Sequence, residues 1–271
     1  MNGLFKGSFD PITICDLQYA ENLRKEKKLN YIFFTLEEDA TVDYKYRLTI
    51  LKRMIKSYRK FKILTVEKTD NCYLISQENK QIQQAVRNGN FKYIPKYIRS
   101  YIMENGLYCQ TILKNKLKER RYLHSLSVAE LSAKIARGNN LDSKMAYLIG
   151  IYHDIAKNLS SEDNNIYISI YKPYEMKYDE NVWHQYIGYY LLKHYYCLRN
   201  KTILKAIRHH CLGDDKSIYS QLIFVADKLD PSRGYDSTKQ IEISVKNLQA
   251  GFEIVKKQNR DFLRKEGIKN I

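Results

Sequence analysis

Four ionisable side chains stand inside apolar helical stretches, and a core does not tolerate such groups singly. His153 and Asp154 close the run Tyr147-Leu-Ile-Gly-Ile-Tyr-His-Asp-Ile-Ala-Lys157. His124 lies upstream in Arg121-Tyr-Leu-His-Ser-Leu-Ser-Val128, and Asp227 downstream in Leu222-Ile-Phe-Val-Ala-Asp-Lys228. A buried imidazole or carboxylate without a partner is costly. Four of them on three separate helical segments predict a fold that gathers those segments around a shared cation. Two imidazole nitrogens and two carboxylates suit a borderline-hard divalent metal such as Fe, Mn, Co or Zn.

The order His, then His-Asp, then Asp on consecutive helices resembles that of the HD-domain phosphohydrolases. Five ordered segments narrow the likeness: Arg121-Tyr-Leu-His124, Gly150-Ile-Tyr-His-Asp-Ile-Ala-Lys157, Trp183-His184, Ala206-Ile-Arg-His-His-Cys-Leu-Gly213 and Ala226-Asp-Lys-Leu-Asp-Pro-Ser-Arg233. Together they resemble the YqeK family of symmetrical diadenosine tetraphosphate hydrolases, over about residues 110–260. That family typically has Tyr-His-Thr where this chain has His209-His210-Cys211. His210 therefore takes the place of the family histidine, and Cys211 that of a threonine.

The resemblance implies an all-helical HD domain over 109–271 that hydrolyses a phosphoanhydride. One or two divalent ions are implied, iron first, with manganese or cobalt as alternatives. His124, His153, Asp154 and Asp227 are the implied core ligands. His184 and His210 either hold a second metal, with Asp154 as the bridge, or bind phosphate and protonate the leaving group; both roles stay open. Asp154, Lys157, His184 and His210 are the expected catalytic residues. Lys157 and Arg233 are expected to hold phosphate oxygens, while Arg121 does the same or pairs with an acid.

The N-terminal part resembles a second family. Gly3-Leu-Phe-Lys-Gly-Ser-Phe-Asp-Pro-Ile12 is similar to the opening strand and turn of NadD, the nicotinate-nucleotide adenylyltransferases. Those enzymes continue with a His-x-Gly-His motif that grips ATP phosphates, whereas these positions read Thr13-Ile14-Cys15-Asp16. The family's Ser-Ser-Thr-x-x-Arg signature falls near Glu78 to Gln83, with Gln83 at the arginine position. The stretch between the third strand and the end of the domain is also far shorter than the family needs. The likeness is to a truncated, catalytically stripped copy over 1–108.

Patterning supports an α/β unit followed by an all-α one. Leu4 to Lys6 begins a strand, Asp16 to Lys28 a helix, and Tyr31-Ile-Phe-Phe-Thr-Leu36 is a buried strand rich in aromatic and β-branched residues. Tyr44 to Tyr58 reads as a helix and Lys62-Ile-Leu-Thr-Val66 as a third strand. That alternation predicts a small Rossmann-like parallel sheet. Helices near Glu78 to Asn88 and Pro95 to Glu104 close the unit, with Pro95 suited to a first turn and Asn105-Gly106 to a stop. From Thr111 onward strand signals nearly vanish, and one last helix is expected over Lys239 to Lys265.

A net charge of +16 raises the question of nucleic acid. The excess is spread as +7 over residues 1–108 and +9 over the rest, with no arginine-rich tail. A general basic surface attracts any polyanion, including a dinucleoside polyphosphate, and no specific nucleic-acid site follows. No apolar run reaches the ~20 residues that span a bilayer, so no membrane partner is expected. The opening Met1-Asn-Gly-Leu-Phe-Lys-Gly-Ser-Phe-Asp10 lacks a signal peptide's charged head and apolar body. Five cysteines without a Cys-x-x-Cys pair point to reduced thiols and a cytoplasmic setting.

Several polar residues carry a plainer expectation. His194 sits in a Tyr-rich stretch, and His209 is expected to point about 100° away from His210 on a helix. Cys211 has no base obviously paired with it and reads as a small buried hydrophobe. Gly7-Ser-Phe-Asp-Pro11 reads as a surviving strand-to-helix turn that shapes the fold. The expected function is metal-dependent, symmetrical cleavage of a dinucleoside tetraphosphate to two ADP. The alternatives are an HD-type hydrolase of another nucleotide, or a nucleotide-sensing scaffold with a regulatory N-terminal domain. Three roles stay open for that domain: binding nucleotide, packing the HD domain or forming a homodimer.

Overall fold

The computed structural model describes residues 1–64, 71–76, 79–171 and 179–266. The chain divides into two compact units, Met1–Thr111 and Ile112–Ile271.

The first unit holds four strands: β1 (Asn2–Gly7), β2 (Ile32–Leu36), β3 (Phe61–Ile63) and β4 (Cys72–Ile75). They form one parallel sheet in the order β3-β2-β1-β4. Helices α1 (Ile14–Glu26), α2 (Tyr44–Ile55), α3 (Lys80–Arg87) and α4 (Lys96–Asn105) complete it. Phe5, Phe9, Phe34 and Phe61 pack ring to ring in its core. Only three strands are evident from patterning; the fourth is four residues long and half-exposed, too short for an alternation to register. The third strand is shorter than expected, and Thr65 and Val66 lie outside the described residues, as do Gln77 and Glu78. Pro95 is the N-cap of α4, one position earlier than a first-turn proline, and Gly106 ends that helix in the left-handed conformation.

Two buried carboxylates lock the turn that follows β1. Asp10 accepts hydrogen bonds from the Tyr108 hydroxyl and from the backbone and hydroxyl of Thr41. The Arg87 guanidinium donates to the Asp10 carbonyl at 2.6 Å. Asp16 closes a capping box at the start of α1: its carboxylate accepts from Thr13 N at 2.8 Å and Thr13 Oγ1 at 2.7 Å. Its other oxygen accepts from Asn79 N at 3.1 Å. The helix N-terminus is thus satisfied by the chain's own acid.

The second unit is helical, with no strand among its described residues. After α5 (Cys109–Lys116), which carries the boundary, come α6 (Glu119–Gly138), α7 (Ser143–Tyr152), α8 (Ser161–Tyr171) and α9 (Trp183–Tyr190). α10 (Lys201–Arg208), α11 (Ile218–Leu229), α12 (Thr238–Lys246) and α13 (Leu248–Lys265) follow. The single last helix expected from the apolar stripe is two helices, broken at Asn247. Asn247 caps the second of them by accepting from Ala250 N, and Asn139, at the end of α6, ties the two together. Its amide donates to the Ser244 and Val245 carbonyls and accepts from Leu248 N. No helix among the described residues is long and apolar enough to cross a membrane.

Helices α6 and α7 touch at Gly150, and this contact sets where His153 stands relative to His124. A Cβ at Gly150 would lie 2.6 Å from the Ala129 Cα and 3.0 Å from the Ser132 Oγ. Backbone cannot yield there as a side chain can. Gly150→Ala is therefore expected to destabilise the protein by about 1–3 kcal/mol in denaturant unfolding. Unchanged stability would show that the close approach is not enforced.

Candidate metal centre

Five helical segments deliver one polar cluster of six side chains. His124 comes from the first half of α6 and His153 from the end of α7, with Asp154 just beyond it. His184 is on α9, His210 follows α10, and Asp227 is on the last turn of α11. His153, Asp154, His184, His210 and Asp227 are all buried. His124 Nε2 is 3.2 Å from Asp227 Oδ1, and His184 Nε2 is 3.1 Å from Asp154 Oδ1.

Two histidines are oriented by their own helices. His153 Nδ1 donates to the Gly150 carbonyl at 2.7 Å, and His210 Nδ1 to the Ile207 carbonyl at 2.7 Å. Each Nε2 is thereby turned into the cluster. His153 Nε2 is buried and makes no hydrogen bond there. It lies 3.8 Å from both Asp154 Oδ2 and Asp227 Oδ1, a separation that suits ligands of a common ion better than partners of each other. The donor atoms of His124, His153 and Asp227 lie within 4.8 Å of one another, as do those of His153, Asp154 and His210. These residues fit a divalent cation by an orphaned nitrogen and by their mixed N/O donor chemistry.

The electrostatics are those of charges taken out of water together. Burial opposes ionisation of Asp154, but the His153 and His184 imidazoles outweigh it and hold the carboxyl well below its usual range. Asp227 is likewise held low despite burial, by Lys228, His124 and Arg233. Burial pushes His153 down to about 4. His124 rises to about 9 because hydrogen bonds to Asp227 and Asp230 exceed its burial cost. His210 rises to about 10 against burial, through Cys211 and Asp154.

The cluster floors a cleft of about 850 Å³ in this unit, the size of a small-molecule site. Lys118, Arg120, Arg121, Lys157, Lys228 and Arg233 are among its walls. Arg121 Nη1 is 3.9 Å from Asp154 Oδ2. Lys157 Nζ sits 2.9 Å from His184 Nδ1 and donates to the Asn181 carbonyl; burial lowers its pKa. Arg233 donates to the carbonyl and carboxylate of Asp227. His194 and His209 stand elsewhere: His194 stacks on Tyr171 with centroids 4.6 Å apart, and His209 Nδ1 meets Asp214 at 2.8 Å.

Two participants are not evident from the sequence pattern. Asp230 accepts from His124 Nδ1 at 2.6 Å and from the Ser127 and Ser232 hydroxyls, so it holds the His124 ring in place. Its one sequence signal is the three-residue spacing from Asp227. Cys211 overturns the expectation of an inert hydrophobe. Its Sγ is 3.3 Å from Nε2 of both His184 and His210. α10 ends at Arg208, so residues 209–212 form turns in which neighbours need not diverge by a helical step. The paired imidazoles lower the thiol pKa to about 5 even though burial raises it.

Comparison with known proteins places this geometry in context. The HD domain model matches residues 121–232. A probable nicotinate-nucleotide adenylyltransferase/Ap4A hydrolase of Mycoplasma pneumoniae is 34% identical over 178 residues, covering 63% of this chain and 52% of the relative. The chain thus spans about half the length of that relative, and likewise 52% of its Mycoplasma genitalium counterpart. The symmetrical bis(5'-nucleosyl)-tetraphosphatase of Bacillus subtilis is 30% identical over 141 residues, covering 51% of this chain and 74% of the relative. A crystal structure of a predicted HD superfamily hydrolase involved in NAD metabolism, from Clostridium acetobutylicum, superposes with a TM-score of 0.52 at 26% identity. It covers 59% of this chain and 87% of its own.

Partners on the outer nitrogen of a ligating histidine typically tune metal affinity 10–100-fold. Asp230→Asn is accordingly expected to weaken Mn²⁺ retention by about that factor in a chelator-competition titration. Unchanged retention would remove Asp230 from any part in orienting His124.

Proposed function

The chain belongs to the HD-domain family, and on that premise we propose that its second unit hydrolyses a dinucleoside tetraphosphate symmetrically to two nucleoside diphosphates. The observation that carries this reading is a buried His/Asp cluster lying at the floor of a cleft walled by six cationic side chains. Cluster and walls match the two demands of phosphoanhydride hydrolysis, an activated water and a neutralised polyanion. The names of the relatives in Mycoplasma pneumoniae and Bacillus subtilis supply the substrate class.

His124, His153, Asp154 and Asp227 would hold a first metal; His184 and His210, which face Asp154, would hold a second or bind phosphate and protonate the leaving group. When bound, a divalent metal lowers the pKa of a water and offsets charge on the attacked phosphate. Iron is the metal proposed, with manganese or cobalt as alternatives. The remaining work falls to side chains of the cleft. Arg121, Lys157 and Arg233 line it and are suited to phosphate oxygens, stabilising charge that grows on the attacked and leaving groups. Lys157, whose ammonium lies in the cleft with its pKa lowered by burial, is suited to give a proton to the leaving oxygen. No covalent enzyme intermediate is needed.

The first unit is proposed as a truncated nucleotidyltransferase-like domain over 1–108, joined to an HD hydrolase domain over 109–271. Support for a structural role comes from Asp16, which occupies the start of α1 where a phosphate would otherwise dock. Five free cysteines suit a cytoplasmic protein. A homodimer is part of the same proposal.

Product analysis tests the reaction. Incubation of the full chain with diadenosine tetraphosphate and Fe²⁺, Mn²⁺ or Co²⁺ is expected to give ADP as the sole product. ATP plus AMP would refute the symmetric cut, and no turnover with any of these metals would refute the substrate.

A further inference from the structure

Cys211 is the departure of this chain from the threonine that the resembled family carries at that position, and it stands where it can matter. Sγ lies 3.3 Å from His184 Nε2 and 3.3 Å from His210 Nε2, and those two nitrogens are 3.1 Å apart. The three donor atoms form a compact triangle among themselves. A tetrahedral ion with N bonds of about 2.0–2.1 Å and an S bond of about 2.3 Å has edges of roughly 3.3 Å for N···N and 3.6 Å for N···S. The triangle is within a few tenths of an ångström of one face of that tetrahedron.

His210 and the sulfur are also held from behind. His210 Nδ1 donates to the Ile207 carbonyl, while Lys157 Nζ flanks the His184 ring, 2.9 Å from Nδ1 and 3.3 Å from Nε2. The Cys211 backbone N–H donates to Gln185 Oε1 at 3.0 Å, which fixes the residue that carries the sulfur. Gln185 neighbours His184 on α9, so one helix supplies a ligand and anchors another. Bland packing of a small hydrophobe does not account for a sulfur shared between two imidazole nitrogens.

We propose that Cys211 is a thiolate ligand, joining His184 and His210, with Asp154 beside them, in a cation position softer than that of His124, His153 and Asp227. The inference rests on the metal-dependent reading above. Imidazole and thiolate together form known catalytic zinc ligand sets, and Asp154, with Oδ1 3.1 Å from His184 Nε2, faces the remaining side. A thiolate in the set favours Zn²⁺ or Co²⁺ over Mn²⁺, whereas a threonine hydroxyl in its place would not. The chain would therefore discriminate between its two cation positions by ligand softness.

Cobalt absorption reads this directly and independently of turnover. Metal-free full-length protein is titrated with Co²⁺, and its spectrum is compared with those of Cys211→Thr and Cys211→Ser. The proposal expects visible d–d bands together with a near-ultraviolet sulfur-to-cobalt charge-transfer band in the unsubstituted protein. Both variants should lose the charge-transfer band and keep d–d absorption, with unchanged far-ultraviolet circular dichroism. Cobalt d–d bands without a charge-transfer band in the unsubstituted protein would overturn the thiolate ligand while leaving the metal-dependent reading intact. A charge-transfer band that persists in either variant would do the same by assigning it to another cysteine. Absence of any cobalt absorption would overturn both.

Discussion

The second unit depends on burying two carboxylates and three imidazoles inside apolar helical walls, with His124 half-buried beside them. Desolvating one carboxylate costs several kcal/mol, and a single missing partner leaves that cost uncompensated. Each side chain is therefore held by several elements at once. Asp227 is met by His124, Lys228 and Arg233; Asp154 is met by His184 and faced by His153, His210 and Arg121. Helix α6 must come close enough to α7 for this to work, and Gly150 against Ala129 is the contact that permits it. Packing and site chemistry are one constraint here, because the same approach that fills the core brings His124 to His153, ring centroids 5.3 Å apart.

The first unit solves a similar problem with a different outcome. Asp10 and Asp16 are buried at least as deeply as the carboxylates of the cluster, Asp154 and Asp227. Yet Asp10 is satisfied by Tyr108, Thr41 and Arg87, and Asp16 by Thr13 and Asn79. Their hydrogen-bonding demand is met by local caps and turns, so these carboxylates hold a fold and have little left to offer a ligand. In the second unit, by contrast, His153 Nε2 is left without a hydrogen bond at the centre of the cluster. A protein that keeps an orphaned buried nitrogen among carboxylates is organised for something that completes the set.

Much of this is legible in the sequence, and the parts that are not have identifiable causes. His153-Asp154 and Asp227 stand out because helical periodicity predicts apolar residues at their positions, so their polarity conflicts with the local pattern. Their convergence follows from the cost of leaving any one of them alone. The parallel sheet is readable from alternation alone, but β4 is not, because four residues carry too little pattern. The break at Asn247 is tied to Asn139, more than a hundred residues away, and its local signal, an asparagine N-cap, is masked by the continuous apolar stripe. Cys211 is misread for a related reason. A helical extension past Arg208 would separate it from His210, and only the turn shows them sharing one space. Asp230 escapes notice because its principal partner is on α6.

The central claim is that the buried cluster exists to hold a divalent cation, with His153 at its middle. Elemental analysis of anaerobically purified full-length protein beside its His153→Ala variant tests it most directly. The account predicts at least about one equivalent of transition metal per chain in the former and loss of the ion held by His124, His153, Asp154 and Asp227 in the latter, with helical content preserved, because that nitrogen is the one left without a hydrogen bond among those carboxylates. Undiminished metal in the His153→Ala protein would contradict it.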